Sequence, residues 1–142
     1  MVGEVKGEDQ KDDKYICLLD LVRIGCISVD TVNLNLYDGV IGIHVVALQA
    51  TFFFTTLVAD GFYVMLEICT IPLPRDVTEL RSYITYFDDL LTVIQYSSKC
   101  EVCSDKKTLE SMTARKISTP EFDRVITSSR NRRRECPIVY HH

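Results

Sequence analysis

Val40-Ile-Gly-Ile-His-Val-Val-Ala-Leu-Gln-Ala-Thr-Phe-Phe-Phe-Thr-Thr-Leu-Val-Ala-Asp60-Gly61-Phe-Tyr-Val-Met-Leu-Glu-Ile-Cys-Thr-Ile71 is the stretch whose reading decides the fold. It is rich in β-branched and aromatic residues, the types that fit a pleated, half-buried surface. Asp60-Gly61 is a hairpin signal, because glycine takes the positive φ that a tight turn requires. Val40 to Leu48, Thr51 to Val58 and Phe62 to Ile71 therefore read as successive strands.

Upstream, Thr31-Val-Asn-Leu-Asn-Leu36 alternates apolar and polar residues, and Asp38-Gly39 follows it. That pattern predicts a further strand and hairpin turn, giving an antiparallel meander of about four strands. Residues 14–27 are apolar, with positions 15, 18, 19 and 22 on one helical face, which predicts a helix over about 12–24.

Downstream, Pro72-Leu-Pro74 ends the sheet. Asp76-x-x-Glu79 resembles a capping box. Val77, Leu80, Ile84, Phe87, Leu91 and Ile94 recur at helical spacing. They predict a long helix over about 76–96, with this stripe against the sheet. Fold class is thus α+β: a small antiparallel meander packed on one long amphipathic helix. Residues 1–13 read as a flexible acidic leader, 14–98 as the core domain and 99–142 as a basic, cysteine-bearing segment.

The chain has 142 residues, 46% hydrophobic and 25% charged, a composition that suits a globular domain with a real core. Its net charge of −4 is unevenly spread. Residues 1–98 are net −8 and residues 99–142 net +4, so an anionic partner is expected for the second part. Arg130, Arg132, Arg133 and Arg134, with Lys106 and Lys107, are the candidate contacts to nucleic acid or an acidic protein. Aromatic residues for base stacking are scarce there, so such binding would run through the phosphate backbone and fall with salt.

Cys100-Glu-Val-Cys103, Cys136 and His141 could supply four ligands to a tetrahedral zinc ion. Ordinary reduced cysteines are the alternative, and no secretory signal argues for disulfides. An intracellular location, cytoplasmic or nuclear, is the expectation. The charge-free stretch from Gly39 to Ala59 is long enough to cross a bilayer. Its His44, Gln49, threonines and β-branched bias favour buried strands instead.

No glycine-rich phosphate loop, G-x-S-x-G or H-E-x-x-H occurs, and Asp88 and Asp89 point to different helix faces. A non-enzymatic binding or regulatory protein is expected, acting through its basic segment. A second expectation is a protein–protein interaction module, dimeric, with Tyr83, Tyr86, Leu90 and Val93 widening the helix's apolar face into an interface. The element order is similar to that of small secretion-chaperone folds, a likeness of architecture alone.

Overall fold

The structure, a computed structural model, describes residues 1–113. Its elements are β1 (Val2–Lys6), α1 (Lys14–Asn35), β2 (Val40–Val46), β3 (Gln49–Ala59), β4 (Phe62–Pro72), α2 (Phe87–Ser98) and α3 (Lys106–Met112), with 3₁₀ turns at Glu8–Gln10 and Glu79–Tyr86. The sheet runs β1-β2-β3-β4. β2, β3 and β4 form the expected antiparallel meander, but β1 lies parallel to β2, so the sheet is mixed. The α+β class holds; a purely antiparallel sheet does not.

Two segments differ from their sequence patterns. Thr31 to Asn35, which alternate as a strand would, complete α1. The helix face that meets the sheet is Asp20, Ile24, Ser28 and Val32, spaced four apart and all buried. Two of these four are polar, so the apolar period fades where the helix continues. Asp13 caps its start by accepting from the N–H groups of Tyr15 and Ile16. Leu36 ends it in the left-handed region at φ 55°. Residues 2–6, read as part of a leader, form β1 instead.

Gly39 follows this helix and is no hairpin glycine. A Cβ there would lie 2.3 Å from Cζ of Phe54, so the position is kept open for that ring. Gly42 plays the same part on the other side of the sheet, where a Cβ would come within 2.7 Å of Cγ2 of Ile24. The two contacts show how closely α1 and the Phe54 ring approach opposite faces of β2. Each fully buried aliphatic side chain in this seam, Ile24 and Val32 among them, contributes about 1.5–3 kcal/mol.

The expected long helix is divided. Asp76 accepts from the N–H groups of Thr78 and Glu79, and Glu79 accepts from the N–H of Arg75, much as a capping box would. Residues 79–86 then wind as 3₁₀ before α2 begins. Ser82 and Thr85 donate their hydroxyls to carbonyls three residues back, at 2.6 and 2.7 Å, the short-range bonding that competes with a regular α-turn.

After α2 the chain returns to the sheet's end. Asp38 N–H donates to the Glu101 carbonyl and Cys103 N–H to the Leu36 carbonyl. Asp105 caps α3, and the Gly61 N–H donates to the Met112 carbonyl, tying α3 to the β3–β4 turn. Residues 40–59 lie in β2, β3 and their turn. Among the described residues no helix is long and apolar enough to cross a membrane.

Candidate functional site

The face that α2 turns to the sheet is set by Tyr96 and Val93. Tyr96 packs its ring on Phe54, centroids 5.1 Å apart, and Val93 is only 7% exposed. Leu90, Tyr86 and Tyr83 are half-buried. The four residues expected to form an interface therefore include one buried side chain and three partly covered ones.

The stripe expected to cover the sheet is the outward one. Val77, Leu80, Ile84, Phe87, Leu91 and Ile94 are all exposed, from 39% at Leu91 to 79% at Val77. The expected helix is α only from Phe87 onward, and there the stripe predicted to face the sheet faces outward. Periodicity finds a stripe but cannot rotate it, because positions 90 and 93 are apolar as well. Six large apolar side chains left exposed within eighteen residues make this segment a candidate interaction surface.

A second arrangement lies on the opposite face of the sheet. The Asp20 carboxylate is fully buried. Lys6 Nζ of β1 approaches its Oδ2 at 3.4 Å, Arg23 NH1 approaches Oδ1 at 3.4 Å, and His44 Nε2 of β2 lies 3.9 Å from Oδ2. Burial pushes the His44 imidazole below its ordinary range, outweighing the upward pull of Asp20 and Glu4, so the ring is neutral at neutral pH. Nothing in the sequence pairs Asp20 with His44. The one available signal was a lone aspartate inside the apolar run from Tyr15 to Ile24.

The zinc set is only half within the described residues. The Cys100 thiol donates to the Tyr96 carbonyl, and burial pushes its pKa up. The Cys103 thiol is also held up, chiefly by its hydrogen bond to the Asp38 carboxylate. Both cysteines are free thiols, with the neutral form favoured over the thiolate a metal needs. Among the described residues no group of three or more potential ligands assembles. Cys136, His141, Arg130, Arg132, Arg133 and Arg134 lie outside the described residues. Lys106 opens α3, and Lys107 beside it is exposed.

A cleft of about 420 Å³ separates the first 3₁₀ turn from the β2–β3 turn. Glu8 and Asp12 face it together with Lys11 and Arg75, a balanced set that favours neither an anion nor a cation.

Comparison with protein-family models, curated proteins and solved structures gave no match. The chemistry of the two arrangements therefore carries the functional reading by itself.

Proposed function

We propose that this chain is a protein–protein interaction module that pairs with a second copy of itself through the exposed stripe Val77 to Ile94. The single observation behind this is the exposure of all six stripe residues. Their spacing adds to it. The intervals are three, four, three, four and three, the heptad pattern by which α-helices pair, which the 3₁₀ stretch from Glu79 to Tyr86 would complete by rewinding as α-helix on pairing. The pattern is also palindromic. Turned end for end, Val77 maps onto Ile94, Leu80 onto Leu91 and Ile84 onto Phe87. An antiparallel, two-fold contact then matches apolar positions along its whole length.

Charge supports the same partner. Arg81 and Asp88 are exposed and seven residues apart, so with residues 79–86 wound as α-helix they would border the stripe on one side. Antiparallel pairing brings Arg81 of each copy towards Asp88 of the other, twice per dimer. Six large apolar side chains per copy, with their flanks, present on the order of the 800 Å² per partner that a stable interface needs.

Light scattering on a size-exclusion column tests the proposal. The full chain should elute as a dimer at micromolar concentration, and the double substitution Ile84→Glu with Leu91→Glu should give a monomer with an unchanged sheet signature in circular dichroism. A wild-type monomer at tens of micromolar, or a dimer that survives both substitutions, would overturn it.

A further inference from the structure

We infer that β1 is an acid-releasable edge strand: Lys6 latches it to the buried Asp20 carboxylate, and protonation of the neighbouring His44 imidazole displaces Lys6 and frees the strand from β2. The inference stands apart from the helix stripe, which lies on the other face of the sheet.

Geometry makes the latch. β1 is five residues long and, among the described residues, has one neighbour in the sheet, β2. Its Val5 is 73% exposed and its other valine, Val2, is only half-buried, so apolar burial holds the strand weakly. Beyond the ladder, its side-chain anchor is Lys6 on Asp20. A fully buried carboxylate is costly without a cation, so the attachment is mutual.

The groups facing the imidazole decide what a proton would do. α1 presents Asp20 and Arg23, β1 presents Glu4 and Lys6, and β3 places the uncharged Thr51 opposite His44 in the register. Lys6 and His44 approach the same oxygen, Oδ2, while Arg23 holds Oδ1. A protonated imidazole would therefore set a third cation around one carboxylate. His44 sits within the central strand β2, and Arg23 is built into the 22-residue helix α1. Lys6 belongs to the short edge strand, so it is the cation that yields. Release leaves the N–H and C=O groups of β2 at a new sheet edge, which an incoming extended segment can pair with.

Hydrogen exchange on the full chain at pH 7.5 and 5.5, corrected for intrinsic rates, reads this directly. Residues 2–6 should lose about tenfold in protection at the lower pH while β3 and β4 keep theirs. In His44→Gln the loss should vanish. Protection of 2–6 that persists at pH 5.5, loss shared equally by every strand, or the same loss in His44→Gln would overturn the inference. Should His44→Gln not fold, Lys6→Gln gives the second reading. It should leave β1 unprotected already at pH 7.5 with β3 and β4 intact, and a protected β1 in that variant would refute the latch.

Discussion

The ring of Tyr96 lies against the ring of Phe54 with centroids 5.1 Å apart and planes tilted by 53°, while Lys99 Nζ sits 4.8 Å above the Tyr96 ring. This contact fixes the rotation of α2. With Tyr96 turned to the sheet, Val93 and Leu90 follow it inward one and two turns earlier, and Leu91, Ile94 and Phe87 are left outside. The outward turn of Phe87, Leu91 and Ile94 is therefore set in good part by this aromatic pair, together with the buried Val93.

Substituting Tyr96→Ala should destabilise the fold by about 2–4 kcal/mol, as expected for truncating a large aromatic side chain that is partly buried. A double-mutant cycle with Phe54→Ala should return a coupling of about 0.5–1.5 kcal/mol for the ring pair. Urea denaturation of the four proteins measures both values. A coupling near zero would mean that the rings are neighbours without fixing the helix.

If the copies pair antiparallel, reversing one charge should weaken the dimer and reversing both should restore it. Arg81→Asp sets like charges across the contact at two symmetric places. Each exposed pair is worth up to about 1 kcal/mol, so dissociation should rise by roughly tenfold. Arg81→Asp combined with Asp88→Arg should recover most of that loss. Sedimentation equilibrium at low salt gives the three constants, and an unrescued double variant argues for another pairing geometry.

Association should also alter the 3₁₀ stretch from Glu79 to Tyr86. Eight residues is longer than such helices usually run, and heptad packing favours α-turns. Helical circular dichroism at 222 nm should therefore fall on dilution through the dimer dissociation range. The Ile84→Glu, Leu91→Glu variant should show no such dependence on concentration.

Legibility of the fold divides along physical lines. β2, β3 and β4 were readable because β-branched runs and Asp60-Gly61 report the local backbone directly. The far half of α1 was not, because Asp20 and Ser28 occupy its buried face and Thr31 to Leu36 mimic a strand. β1 hid among acidic residues, since its anchor is a charge pair made only in three dimensions. The sheet's mixed character follows from that strand alone. At the candidate site, the stripe was visible and its direction was not. Both flanks of α2 carry apolar residues, and the choice between them is made by Phe54, more than thirty residues away. The Asp20–His44 approach could not be read at all, because the residues belong to different elements and form no spaced motif.

The Asp38–Cys103 contact makes a chemical prediction. The hydrogen bond to the Asp38 carboxylate favours the protonated thiol and holds the Cys103 pKa up. Asp38→Asn should lower it, raise the thiolate fraction at neutral pH and speed alkylation of Cys103 by iodoacetamide. Mass spectrometry of the modified peptide separates it from Cys100, whose pKa is raised mainly by burial and should not respond. Equal acceleration at both cysteines would point to a general opening of residues 99–105 instead.

His44 makes stability depend on pH in a defined sense. Its imidazole pKa is lower in the folded chain than the ordinary value of 6.5, because burial penalises the charged ring. Between those two values the unfolded chain binds a proton that the native chain refuses. The stabilising contribution is therefore complete above about pH 6.5 and is lost as pH falls from there towards the native pKa, at a slope no steeper than about 1.4 kcal/mol per pH unit. The urea midpoint should be constant from pH 8 to 7 and should drop below 6.5. In His44→Gln this component of the slope should be absent. A wild-type midpoint that rises on acidification would reverse the sign and mean that the imidazole binds its proton more tightly when folded than when unfolded.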